Sequence, residues 1–324
     1  MHDLPALLKK IDNYGVANPF PEAPRALYEP CSYILNLGGK RLRPALLLMA
    51  TELFTDSIDR ALPAAWAVEL FHNFSLMHDD IMDAAPLRRG QPTVHTRWNT
   101  TTGILSGDVM LIHAYRHLAS FQDAAVVAEL VKVFNRVAIE VCEGQQYDIN
   151  FETRNDVTLP EYIRMIELKT AVLLGGAMEM GAICAGASTA DAEHLYHFGR
   201  LAGIAFQIQD DLLDTYGDPA KFGKQVGGDI LQNKKTFLVL KALEIMPAEN
   251  RSALETWLQT GPEAPGKVEA VRSIFDQNRI PELANAEKKQ FQTEAFNHLE
   301  QVGVPVTRKA ALRELITTLL DRDR

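Results

Sequence analysis

The chain has 324 residues, 47% hydrophobic and 23% charged, and a formal net charge of −9. These values suit one large globular domain with a sizeable core. They exclude a nucleic-acid partner, which calls for basic patches, and an anionic substrate would need cations placed locally.

The opening Met1-His2-Asp3-Leu4-Pro5 lacks the basic-then-apolar pattern of a secretory signal, so the cytoplasm is the expected compartment. Cys31, Cys142 and Cys184 are widely spaced and suggest neither a disulfide framework nor a zinc site. Apolar residues at three- and four-residue intervals predict helices over 44–53, 61–82, 125–141, 159–185, 192–213 and 235–245. Period-2 alternation of β-branched residues is absent, so an all-α fold with little or no sheet is expected. Helix ends are expected at Gly38-Gly39, Pro63, Pro86, Gly90-Gln91-Pro92, Gly103, Gly217-Asp218-Pro219 and Gly227-Gly228. The apolar, Ala- and Gly-rich stretch 170–188 carries Glu179 and falls short of a membrane span, which predicts a buried helix. The Gly- and Pro-rich 260–266 stretch sets a catalytic core of about 25–245 apart from C-terminal helices, about 246–324, expected to cover it.

A five-residue acidic cluster occurs twice, as Asp79-Asp80-Ile81-Met82-Asp83 and Asp210-Asp211-Leu212-Leu213-Asp214. Each lies in a helix-periodic apolar stretch, so its first and fifth members share one helix face a turn apart. Stacked carboxylates repel unless a cation sits between them, and Mg2+ is held by one or two carboxylates plus phosphate oxygens. An exposed helix end explains one cluster poorly, because carboxylates there oppose the helix dipole, and packing does not explain two.

Cations gather near the acids beside glycines and prolines. Lys40 and Arg43 lie on one helical side in Gly38-Gly39-Lys40-Arg41-Leu42-Arg43-Pro44. Arg41 after Lys40 excludes a Walker loop, which has Ser or Thr there. Arg88 and Arg89 should point different ways, and arginine suits bidentate phosphate contacts. Lys169-Thr170, Lys224 and Lys234-Lys235-Thr236 complete the set. Each alone reads as a surface cation; together they describe a diphosphate site bridged by metal. The pair Glu69-x-x-His72 is the helical element of di-iron bundles, but no second pair exists in the chain. His78 and His95 read as packing groups, whereas His72, seven residues before Asp79, reads as a substrate contact.

These motifs, in order and spacing from 38 to 236, resemble the trans-isoprenyl diphosphate synthase (polyprenyl synthetase) family. The resemblance rests on residues 38–44, the first Asp cluster with Leu87-Arg88-Arg89-Gly90, Lys169-Thr170, residues 206–214, Gly223-Lys224 and 234–236. It implies an all-α bundle around a deep central cavity, in a homodimer without a membrane span. The implied reaction is head-to-tail prenyl transfer: an allylic diphosphate held by three Mg2+ ionises, isopentenyl diphosphate attacks the cation, and a proton leaves. Asp79, Asp83 and Asp210 would be the main metal ligands, with Asp80, Asp211 and Asp214 ligating or supporting. Arg88, Lys169, Lys224 and Lys234 would hold the allylic diphosphate, and Lys40, Arg43, His72 and Arg89 isopentenyl diphosphate. Thr170 and Gln207 would place oxygens near the developing cation.

The growing chain should pass Ser75, small and four residues before Asp79, and stop at Phe74 and Phe71. That predicts a C20 product, with C15 next. A terpene cyclase of the same fold and a non-catalytic subunit of a heteromeric synthase are the rival readings. Two intact Asp clusters argue against both.

Overall fold

A computed structural model gives the structure of residues 2–217 and 226–321. Helices α1 (Leu4–Ala17), α2 (Arg25–Asn36), α3 (Leu42–Glu52) and α4 (Leu62–Met82) lead to a hairpin of two-residue strands, β1 (Leu87–Arg88) and β2 (Gln91–Pro92). Then come α5 (Val94–Arg97), α6 (Thr100–Leu118), α7 (Ala124–Thr153) and α8 (Leu159–Ile166). A π-helical turn, Glu167–Ala171, joins α8 to α9 (Val172–Ala185). The remainder is α10 (Thr189–Tyr216), α11 (Gly228–Leu231), α12 (Phe237–Ile245), α13 (Ala248–Leu258), α14 (Lys267–Gln277), α15 (Ile280–Gln301) and α16 (Val306–Leu320). The all-α expectation holds, and the hairpin is the only sheet among the described residues.

The chain divides into two compact units, one of residues through 135 with 176–195 and 303–309, the other of 136–175, 196–302 and 310 onward. In the first, α4 is the central helix. Its Ala64, Ala65, Ala67, Val68, Leu70 and Phe71 are all at most 1% exposed, and burying one such Phe side chain contributes about 2–3 kcal/mol. Two expected helix ends are not ends. Pro63 lies in the first turn of α4, where its missing N–H costs nothing. Gly103 sits inside α6, where a Cβ would come within 2.8 Å of Ile81 Cδ1 on α4. That glycine serves close helix packing, which one sequence cannot distinguish from a break.

The second unit has its own core. Phe151 of α7, Tyr162 and Ile166 of α8, Ile204 and Ile208 of α10 and Phe237 and Leu238 of α12 join it. Leu254, Val271, Phe275, Ile280 and Ala284 of α13, α14 and α15 are fully buried in the same cluster. Helices α13, α14 and α15 therefore contribute to this core. The run from Leu159 to Ala185 is long and apolar enough for a membrane span by composition, yet 72% of its apolar window is buried within the protein.

Candidate functional site

In the first unit, α4 ends on the first acidic cluster. The Asp83 N–H donates to the Asp79 carbonyl at 2.8 Å as the helix closes, leaving Asp79 half-buried and Asp83 exposed. Asp80 turns the other way. It is 3% exposed, and its carboxylate accepts Arg88 Nε and Nη2, each at 2.8 Å. The hairpin delivers this fork-to-fork pair. Arg89 (φ 53°) and Gly90 (φ 75°) are both left-handed, as the favoured two-residue hairpin turn requires. Arg88 thus returns to α4, while the Arg89 guanidinium lies against Gly39, whose Cβ would meet Arg89 Nη2 at 2.8 Å. The two arginines diverge as expected.

Beside them Arg43 Nη1 lies 3.1 Å from His72 Nε2. Arginine only donates, so Nε2 accepts and the ring proton sits on Nδ1. Burial, then Arg43, Arg89, Arg88 and Arg41, hold His72 well below the ordinary histidine range. The imidazole is neutral chiefly because it is buried, and the surrounding cations add to this. Arg41 is neutralised locally: it donates to buried Glu69, and its Nη2 to the Leu35 carbonyl at 2.7 Å. Asn73 Nδ2 also donates to Glu69, at 2.6 Å. Arg43 Nε is buried without a hydrogen-bond partner among the described residues. Lys40 is exposed on the loop just before α3. Arg43, His72 and Arg89 therefore share one corner of this unit, whereas Lys40 precedes the left-handed Arg41 and does not lie on one helical side with Arg43 as expected.

In the second unit three helices meet at the π-turn. A Cβ on Gly144 of α7 would meet the Lys169 backbone N at 2.2 Å, and one on Gly203 of α10 the Ala171 Cα at 2.7 Å. Single π-turns inside α-helices recur at functional sites. This one carries half-buried Lys169 and Thr170. Lys169 Nζ donates to Asp148 at 2.5 Å, and Glu167 pairs with Arg200 at 2.6 Å. Gln207, one turn past Gly203 and one before Asp210, is half-buried.

The second acidic cluster closes α10. Asp210 and Asp214 are half-buried, and Asp214 Oδ1 accepts the Asp229 N–H at 2.9 Å. Asp211 is 4% exposed, and its Oδ2 accepts Tyr162 Oη at 2.5 Å and the Phe237 N–H at 2.9 Å. Burial pushes its carboxyl up to about 7, against the two hydrogen bonds. Lys234 is 3.2 Å from Asp229. Burial alone would lower its pKa, but Asp229, Asp148 and Asp214 raise it overall. Lys224 lies outside the described residues.

No group of three or more His, Cys, Asp or Glu converges among the described residues. A closed protein cage for a metal therefore does not fit. Two carboxylates one turn apart at a helix end do fit a hard cation that takes its other ligands from phosphate and water. Sequence reading missed Asp148, Tyr162, Asp229, and the Arg41–Glu69 pair. Only Asp148 carried a local signal, a polar Gly144-Gln145-Gln146-Tyr147-Asp148 break in an apolar helix. The others are defined by partners distant in sequence.

Comparison with known proteins agrees with the motifs. The sequence model of the polyprenyl synthetase family matches residues 24–275. A geranylgeranyl diphosphate synthase of Methanosarcina mazei is 44% identical over 222 residues, 68% of each chain. A geranylfarnesyl diphosphate synthase of Natronomonas pharaonis is 39% identical, over 72% of this chain and 74% of the relative. A crystal structure of a geranylgeranyl pyrophosphate synthase superposes with TM-score 0.95 at 44% identity, covering 99% of both chains.

Proposed function

Because the chain belongs to the polyprenyl synthetase family, with its all-helical isoprenoid synthase fold, and is a short-chain trans-prenyltransferase, we propose that it condenses isopentenyl diphosphate with an allylic diphosphate to a C20 product. The observation that carries the site assignment is that both acidic clusters share one division of labour: first and fifth carboxylates at the helix end, second carboxylate buried and occupied. Asp79 and Asp83, and Asp210 and Asp214, are the metal-facing carboxylates. When bound, Mg2+ (three per site from the family resemblance) neutralises negative charge on the departing diphosphate. Arg43, Arg89, Lys40 and the Nδ1–H of neutral His72 hold isopentenyl diphosphate. Arg88, Lys169 and Lys234 hold the allylic diphosphate, Arg88 and Lys169 being aimed by Asp80 and Asp148. Thr170 and Gln207 supply oxygens toward the allylic cation. The surrounding Ala- and Leu-rich helices keep nucleophilic water away from it.

For product length, Phe74 is backed by fully buried Phe71 at 5.6 Å between ring centroids, and Phe71 by Phe134 at 5.3 Å. Ser75 spends its hydroxyl on the His72 carbonyl at 2.9 Å and leaves room for the chain. Incubating the enzyme with isopentenyl and farnesyl diphosphates, then dephosphorylating, should give a C20 alcohol as the main product. The absence of a C20 alcohol would overturn the length assignment, and Phe74→Ala should shift the products longer. A cyclase is not favoured, since the named relatives are diphosphate synthases; a cyclic hydrocarbon in a single turnover would reverse that judgement. The enzyme acts as a cytoplasmic homodimer. Leu105 and Ile112, one helical face of α6 and 57% and 63% exposed, support the second part. Ile112→Glu should halve the mass measured by light scattering, and an unchanged mass would place the contact elsewhere.

A further inference from the structure

The search leads to Lys267, the first residue of α14, in the C-terminal region that carries no recognised motif. It is 1% exposed. Buried lysines almost always have a carboxylate partner. This ammonium instead donates to three neutral oxygens: Asn233 Oδ1 at 2.6 Å, the Thr260 carbonyl at 2.9 Å and the Leu231 carbonyl at 3.4 Å. Taking an ammonium out of water for neutral acceptors is costly, so general packing does not account for it.

Two of the three bonds, to Leu231 and Asn233, hold the short segment carrying Asp229 and Lys234, and the third ties it to Thr260 after α13. Asn233, next to Lys234, has φ 55°, and its own Nδ2 donates to the Thr260 carbonyl at 3.1 Å. The Asn233 side chain is therefore fixed from both ends. The following residue, Val268, packs under the other end of the segment: a Cβ on Gly227 (φ 81°) would meet Val268 Cγ1 at 2.6 Å. Between these anchors the Gly227 N–H donates to the Asp214 carbonyl at 2.6 Å and the Asp229 N–H to the Asp214 carboxylate. The first turn of α14 thus forms the bed on which residues 227–234 lie against the second acidic cluster.

We propose that Lys267 is a positioning residue for allylic diphosphate binding, setting through Asn233 and Leu231 the backbone that presents Lys234. The proposal rests on the assignment of Lys234 to the allylic diphosphate. Lys267→Met keeps the side-chain length and removes the three donors. It should raise the KM for farnesyl diphosphate about tenfold while the KM for isopentenyl diphosphate changes less than twofold, with Lys267→Arg restoring part of the loss. Asn233→Leu should reproduce the selective effect, and the double variant should be no worse than the more impaired single one, since both break one link. Equal changes in both KM values, no change in either, or additive losses in the double variant would overturn the proposal. Should Lys267→Met not fold, Asn233→Leu alone carries the same test. Lys234→Ala separates the two levels. If it leaves the farnesyl diphosphate KM unchanged, the assignment beneath falls with the proposal. If it raises that KM and the Lys267 and Asn233 variants do not, only the proposal falls.

Discussion

The two acidic clusters have the same spacing and differ in how their second carboxylate is kept. Asp80 is buried against a cation, the Arg88 fork, which itself belongs to the proposed diphosphate site. Asp211 is buried against neutral donors, a tyrosine hydroxyl and a backbone N–H at the start of α12. The first pair brings together two opposite charges with matched donors and acceptors. A carboxylate in a dry site with only neutral donors is held near the point of protonation, which is why burial brings Asp211 up to about 7. One spacing thus serves two purposes: the first cluster holds Arg88 in place, and the second fastens α10 to α8 and α12.

The outer carboxylates should be equivalent across the two clusters. Asp79→Ala and Asp210→Ala should each lower kcat by roughly 10³-fold, as loss of charge stabilisation on a leaving group does, with the far-ultraviolet circular dichroism unchanged. If either variant kept more than a tenth of the activity, the shared division of labour would fail. The inner carboxylates should separate. Asp80→Asn strands a largely buried guanidinium and should destabilise by about 2–4 kcal/mol in urea unfolding, while weakening allylic substrate binding through Arg88. Asp211→Asn keeps an oxygen for both donors and should cost about 1 kcal/mol or less at neutral pH. Equal losses for the two would erase the contrast.

The contrast was not legible in the chain. Spacing placed Asp79 with Asp83 and Asp210 with Asp214 on shared faces, and it placed α3, α4, the first part of α7, α8 to α10 and α12, but not α1, α2 or α6. It treated Asp80 and Asp211 alike, because nothing beside them reveals that Arg88 reaches one across a hairpin and Tyr162 the other from 49 residues away. The hairpin itself was missed because two-residue strands leave no alternation to read. Helix α6 went unpredicted because Gly103, there for close packing, reads as a terminator. The C-terminal helices looked like a cover because their buried face is sparse, yet Lys267, indistinguishable in sequence from a surface lysine, is among the most buried polar groups in the structure.

The most specific effect is a pH dependence, measured on metal-free protein in chelator. Asp211 has a folded pKa of about 7 against 3.8 for a free carboxyl. Between those values the folded state binds a proton that the unfolded state has lost, so its contribution to stability is full below pH 3.8 and disappears as the pH rises through about 7. Urea-unfolding free energies compared with those of Asp211→Asn should show an extra decline over that window in the wild type and none from this group above it. Tyr162→Phe sharpens the test. Removing the hydroxyl takes away a donor that lowers the Asp211 pKa, so the decline should extend to higher pH. It should also lose about 1 kcal/mol, chiefly where Asp211 is ionised. A Tyr162→Phe profile parallel to the wild type at every pH would mean that the hydroxyl does not tune this carboxyl. The second cluster would then differ from the first in its partners alone and not in its electrostatics.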